Sequence, residues 1–316
     1  MQAFLENFFQ ALVAGLLSGS IYGLMCVGLG LIFGIMRVIN FAQGEFLMLG
    51  MYATLYIVTG LGVAVVFGPY IGPFIAAVLA GLLLSIGGYL LHRYLVSRVT
   101  GVRAIGAEGE GHYAQLILTL GVALVLQNGG LILFGSTPQS VRTPLSASAW
   151  EVGLPFSDAA VFINKARTVA ALIAVAATVG LFWFINRSRL GKALRAAADN
   201  PEAAMYMGVD VDRAHRIAFG IGTGVTAMAG GLVATYYPFQ PYVGLEFVII
   251  MYAGVVLGGM GSILGAFWGG MTIGLVQQLS SLAMSVQLQN VAIFVVFLLI
   301  VLLRPQGLYG RSVDRT

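Results

Sequence analysis

Long apolar runs alternate with short polar clusters along this chain, and the runs are longer than a soluble core needs. From Phe8 to Met36 there is no charged residue, and from Phe46 to Leu91 there is none either. A helix needs about 20 predominantly apolar residues to cross a bilayer. Nine such segments can be read, at about 8–35, 46–67, 71–91, 115–134, 168–185, 215–237, 244–260, 262–282 and 290–303. They predict an all-α polytopic membrane protein with about nine transmembrane helices, or eight to ten where Gly-rich segments break or re-enter.

The stretch "MRVINFAQGEFLMLGMYA", Met36 to Ala53, sets Arg37, Asn40, Gln43 and Glu45 between two apolar runs. A carboxylate at the centre of a spanning helix costs about 2.5–3.5 kcal/mol on insertion scales. Two readings follow. Either the segment is irregular backbone lining a pathway at membrane depth, where alone such backbone is tolerated, or it is a cytoplasmic turn, which Arg37 suits. "EFLMLGMYA" from Glu45 has an echo in "EFVIIMYA" from Glu246. Glu45 would begin a span running outward and Glu246 one running inward, so the echo predicts an inverted-topology repeat with discontinuous helices and a pathway near the repeat interface. Chance similarity is the competing explanation. The pathway candidates are Asn40, Phe41, Gln43 and Glu45, with Glu246 opposite.

Composition sharpens the class. Charged residues are 9% of the chain and hydrophobic ones 59%, against about 25% charged in average soluble domains. A net charge of +4 is too small to suggest nucleic acid; its distribution reports topology instead. With the loops after the first, third and fifth segments, the stretch before the sixth and the C-terminus inside, 13 of the 16 Lys and Arg are cytoplasmic. Only Arg142, Lys165 and Arg167 fall outside. The positive-inside rule then puts the N-terminus outside and the C-terminus inside.

No Lys or Arg precedes the first segment, which outruns a signal-peptide core, so it is expected to be retained as a span. One transmembrane domain, 1–316, is expected, with a Pro- and Ser-rich external loop at about 135–167. Cys26 stands alone, and His92, His112 and His215 are far apart, so no metal cluster is expected. Gly occurs 43 times, nearly twice the usual share of about 7%. Runs at four-residue spacing (Gly15, Gly19, Gly23; Gly261, Gly265, Gly269) predict close helix packing in lipid.

The most specific polar stretch is "NRSRLGKALRAAADNPEAAMYMGVDVDRAHR", Asn186 to Arg216. Asn200-Pro201-Glu202 reads as a helix restart: a capping Asn, a Pro at the first helical position and an acid in the first turn. Two short helices closed by Gly208 are expected, with Ala203, Ala204, Met205 and Met207 as an apolar face pointing into the cytosol. Such a face suggests docking onto another protein.

Glu202-Ala203-Ala204, three residues, then Gly208 resembles the EAA loop of ABC-importer permeases. That motif continues to Ile and then Leu-Pro; here Ile217 is followed by Ala218-Phe219, so the match is partial. The whole chain resembles the high-affinity branched-chain amino acid permeases of bacteria, the LivH type. The resembling pieces are "GLGLIFGIMRVINFAQGEFLMLGMYAT", "LTLGVALVLQNGGLILFGSTPQSV", "GKALRAAADNPEAAMYMGVDVDR", "VVLGGMGSILGAFWGG" and "LLRPQGLYG". A departure is "VRAIGAEGEGHYAQ", Val102 to Gln115, in place of a plainer loop. Urea, short-amide and broader amino-acid permeases look similar.

The resemblance implies a non-enzymatic transport subunit in the bacterial inner membrane. Its partners would be a second, LivM-like permease, two ATP-binding subunits and a periplasmic binding protein, besides lipid. Arg195, Asp199, Glu202, Ala203, Ala204 and Gly208 would carry coupling to the ATPases. ATP and Mg would belong to those partners, since no Gly-x4-Gly-Lys-Ser/Thr occurs here. An ion-coupled transporter using Glu45 and Glu246, or a passive channel for a small neutral solute, stands as the alternative.

Overall fold

The computed structural model describes residues 2–100, 110–153, 160–285, 288–304 and 307–308. Helices dominate: α1 (Gln2–Met36), α2 (Gln43–Gly60), α3 (Val63–Leu91), α4 (Ser97–Thr100), α5 (Glu110–Phe134), α6 (Lys165–Arg187), α7 (Arg189–Asp199), α8 (Pro201–Tyr206), α9 (Val211–Ala234), α10 (Val243–Gly258), α11 (Ile263–Ser280) and α12 (Gln289–Leu303). A π-helical turn, His92–Val96, joins α3 to α4. Eight of the nine apolar segments fall on one helix each, and the segment expected at 46–67 runs from α2 into α3. Five helices are long and apolar enough to cross a membrane, while α10 and α12 are shorter apolar helices. Arg103, Arg311, Arg315 and residues 102–109 of the unusual Val102–Gln115 loop lie outside the described residues.

One boundary differs from expectation. The segment expected at 46–67 ends at Gly60, and α3 begins already at Val63 after Gly62 adopts a left-handed φ of 62°. Within α3, Gly68 (φ 80°, ψ 158°) interrupts the helix just before Pro69, because a residue preceding proline is pushed out of the helical region. The hydropathy plot sees only apolar residues there and places the division too late.

Within the loop at 135–164, β1 (Ala149–Gly153) and β2 (Ala160–Asn164) form an antiparallel pair with Trp150 opposite Ile163. The hairpin is tied to the start of α1: Gln10 Nε2 donates to the Phe162 carbonyl at 2.8 Å, and the Phe162 N–H donates to Gln10 Oε1 at 2.9 Å. At the other end of α1, Leu31 and Ile35 pack with Leu194 and Ala197 of α7, Ala204 of α8 and Val211 and Ala214 of α9. The hairpin and the α7–α8 unit are therefore at opposite ends of the bundle.

The glycine runs do what their spacing predicts. A side chain at Gly19 would meet the Met271 carbonyl oxygen at 2.7 Å, and one at Gly270 would meet the backbone of Gly23 at 2.6 Å. α1 and α11 thus lie backbone to backbone, antiparallel. α3 and α9 do the same, with Gly224 and Gly81 facing each other. Lipid offers no hydrophobic drive for helices to associate, so close van der Waals packing at small residues is what holds such pairs.

Candidate functional site

After α1, the backbone from Arg37 to Ala42 is not helical. Its side chains alternate: Arg37, Ile39 and Phe41 are exposed, and Val38, Asn40 and Ala42 are buried. α2 then starts deep in the bundle. Gln43 Nε2 donates to the Gly222 carbonyl at 3.1 Å and to Thr226 Oγ1 at 2.5 Å, halfway along α9. Asn40 Nδ2 donates to Gln43 Oε1 at 3.0 Å, and Asn40 Oδ1 accepts from the Ala42 N–H at 3.1 Å. Broken backbone at this depth needs protein partners for its polar groups, and Asn40 and Gln43, both fully buried, supply them.

The same backbone arrangement recurs 200 residues on. Gln43 N–H donates to Asn40 C=O and Val243 N–H to Gln240 C=O; Glu45 N–H donates to Ala42 C=O and Leu245 N–H to Tyr242 C=O. α2 runs along α9 toward the hairpin end, from Thr226 to Gly231, which faces Thr54. α10 runs along α1 toward the α7–α8 end, from Tyr22 beside Phe247 to Gly34 beside Gly261. The two helices begin against each other: a side chain at Gly44 would strike the Gly244 carbonyl, and one at Gly244 would lie 2.7 Å from Glu45 Oε1. α2 and α10 are thus two opposed helices, of 18 and 16 residues, whose starts meet inside the bundle, as an inverted repeat would place them.

Glu45 is 2% exposed, and its Oε2 has no hydrogen-bond partner. Asn40, Gln43 and Glu45 are brought together; Glu246 is not with them. It is exposed and helps line a cleft of about 180 Å³ with Pro138, Tyr237 and Phe239. Phe41 is 39% exposed, its ring 5.5 Å from that of Tyr252. Thr226, Gly222 and Gly244 belong to the site but give no signal in the sequence, because each looks like ordinary helix filler. We expect Gln43→Leu to strand the Asn40 amide and the Thr226 hydroxyl, at about 1–3 kcal/mol for each buried group. The purified protein should melt measurably lower, and an unchanged melting temperature would contradict this anchoring role.

The second candidate, the α7–α8 unit, is built by caps. Ser188 Oγ accepts from the Gly191 N–H, Asn200 Oδ1 from the Ala203 N–H and Asp210 Oδ1 from the Arg213 N–H. Gly208, at φ 82°, ends α8 with bonds from its own N–H to Met205 C=O and from the Val209 N–H to Ala204 C=O. This is a Schellman closure, for which glycine is suited because it lacks a Cβ.

The expected apolar face needs one correction. Ala204 is 5% exposed and faces the bundle, packed beneath α8, whereas Tyr206, unnoticed in the sequence, is 90% exposed beside Met207 at 84%. On a helix this short, one residue in the middle must face the anchor, and Ala204 is small enough to do so. Arg195, Asp199, Glu202, Ala203 and Gly208 are exposed, and Arg195 donates to the Asn186 carbonyl at 3.3 Å.

Comparison with known proteins fits this architecture. Residues 11–303 match the family described as "Branched-chain amino acid transport system / permease component". The chain is 30% identical over 312 residues to the permease protein LivH of the high-affinity branched-chain amino acid transport system of Escherichia coli strain K12, covering 96% of each chain. It is 31% identical over 308 residues to LivH of Salmonella typhimurium and 28% over 309 residues to BraD of Pseudomonas aeruginosa, again with 96% of each covered. No solved structure matches it. The chain belongs to the branched-chain amino acid transport permease family, as a multi-pass membrane protein of a transport system and not an enzyme.

Proposed function

We propose that this chain is the membrane-spanning subunit of a binding-protein-dependent ABC importer for branched-chain or related amino acids. The observation that carries the coupling role is the α7–α8 unit: a capped, anchored handle at one end of the bundle that presents Tyr206 and Met207 outward with nothing among the described residues to cover them. Separate ATP-binding subunits grip the handle, and ATP and Mg stay with them. A second permease, a LivM-like paralogue, completes the translocation path. A periplasmic binding protein delivers substrate at the hairpin end, which puts the N-terminus outside and the C-terminus in the cytoplasm of an inner-membrane protein.

Motion of the handle reaches the centre through Leu31 and Ile35 of α1 and Val211 of α9, which share its core. Both helices lead to the meeting point of α2 and α10. Rocking one half of the repeat against the other would move the crossing at Gly44 and Gly244. Phe41 and Glu246 are the exposed members of the pathway set, and Asn40, Gln43 and Glu45 hold the broken backbone behind them.

Glu202→Lys tests the coupling. The variant should insert and assemble with the second permease, yet lose most of the ATP hydrolysis stimulated by loaded binding protein. Full stimulation in the assembled complex would refute the role of Glu202. The buried, unpartnered Glu45 carboxylate favours one competing reading, ion-coupled transport. Proton- or sodium-driven uptake by this chain alone in liposomes would establish that reading instead.

A further inference from the structure

Arg167 breaks the charge pattern of the chain, lying at the hairpin end, where basic residues are scarce. It is the third residue of α6, in the first helical turn, where the backbone dipoles already present positive charge and a cation is disfavoured. The cap there needs no help from its side chain, since Asn164 Oδ1 accepts from the Arg167 backbone N–H at 3.0 Å.

The guanidinium lies 5.0 Å over the Tyr236 ring, and its Nε is buried with no hydrogen-bond partner. Among the described residues the one ion pair is Arg216 with Asp210, so Arg167 has no carboxylate opposite it. Beside it, Tyr22 donates its hydroxyl to Gln277 Oε1 at 2.9 Å, and Gln277 Nε2 finds no acceptor among the described residues. The ionisable groups close enough to influence Tyr22 and Tyr236 are Arg167, Tyr237 and each other; the acid Glu246 acts on Tyr237 but on neither of these two.

Helix α1, helix α11 and the turn after α9 therefore bring Tyr22, Gln277 and Tyr236 near an arginine at the hairpin end of the bundle, leave the Gln277 amide N–H free to donate, and supply no negative charge. A guanidinium fork matches a planar carboxylate with two parallel hydrogen bonds, and an anion at this helix start would also be favoured by the dipole. We propose that Arg167, with Tyr236 against it and Gln277 held nearby by Tyr22, takes the carboxylate group of the substrate as it arrives from the hairpin end. This deepens the proposed function and rests on it for the class of substrate, an amino acid; the anion site itself does not depend on that class.

The test uses the complete transporter in nanodiscs, treated with the arginine reagent phenylglyoxal, and modification of Arg167 is read by mass spectrometry. L-leucine and acetate should slow it, and leucinamide, which lacks the carboxylate, should not. Equal rates in all four conditions, or no modification in any, would overturn the site.

In proteoliposomes, Arg167→Gln should lower leucine uptake roughly tenfold or more, the scale of a lost charged hydrogen-bond pair, and Arg167→Lys should restore part of it. Binding of the ATPase subunits should be unchanged in both. Wild-type uptake by Arg167→Gln would overturn the proposal. If that variant fails to assemble, the protection experiment on the wild type decides. A wild type that takes up no branched-chain amino acid while acetate still protects Arg167 would refute the substrate reading and leave the anion site standing.

Discussion

Replacing Tyr206 and Met207 together by serine should leave the chain folded and inserted while weakening its grip on the ATPase subunits by roughly 10²–10⁴. The estimate follows from burial: covering a large apolar side chain contributes about 1.5–3 kcal/mol, and each 1.4 kcal/mol is about tenfold in affinity. Both side chains are almost wholly exposed in the isolated subunit, so their removal costs the fold little. The α8 anchor survives, because Ala204, Val209 and the Gly208 closure are untouched. Titration of purified ATPase subunits onto the nanodisc-embedded permease measures the effect directly. An affinity within about twofold of wild type would mean that α8 is not the docking element; hot-spot residues rarely cost so little.

Gly244→Val should be strongly damaging at the centre of the fold. Its first carbon would stand 2.7 Å from Glu45 Oε1 and 2.9 Å from the backbone carbonyl carbon of Gly44. The carboxylate is the end of a flexible side chain and can move, but the Gly44 backbone is fixed by the start of α2 and cannot. Overpacking of this kind costs about 1–3 kcal/mol for extra methylene groups that can partly relax, and more where backbone must shift. The variant should lose most of its folded yield and melt well below wild type in detergent. Gly180→Ala is the control. It replaces a glycine in the same kind of apolar helix, yet the added carbon meets nothing within 4 Å, so stability should hold or rise by about 0.5–1 kcal/mol. Equal behaviour of the two variants would contradict the close crossing of α2 and α10.

Much of this architecture is legible in the sequence because hydropathy and capping are local. All but one of the nine apolar runs fall on a single helix, and Asn200-Pro201 starts α8 where a capping Asn followed by Pro should. Gly208 closes that helix, and the four-residue glycine runs lie where helices touch. Depth is a different matter. Nothing near "INFAQGE" says that Gln43 reaches Thr226, 183 residues away, so the stretch reads equally well as a surface turn or a buried break. The structure places it inside the bundle.

Facing is likewise hard to read on a short helix. Ala203 and Ala204 look alike in sequence, yet one is exposed and the other is an anchor, a difference set by the packing of α7 and α9. The pairing of Glu45 with Glu246 failed to become a shared site for a related reason. The two residues are offset by one position relative to Gly44 and Gly244, and on a helix one position is about 100° of rotation. Arg167 appeared only as an exception to the charge rule; its tyrosine and glutamine neighbours come from three other parts of the chain.

The α7–α8 handle should face the cytoplasm and be held there by a separate ATPase. The most direct measurement places one cysteine at its tip, Met207→Cys in a Cys26→Ser background, within the assembled transporter. Inside-out vesicles treated with a short maleimide–benzophenone reagent and then light, which needs no thiol on the partner, should yield a covalent adduct between this chain and an ATP-binding subunit, while impermeant maleimide added to intact cells should leave the cysteine unlabelled. Labelling from outside the cell, or no adduct in a complex that otherwise hydrolyses ATP and transports, would contradict it.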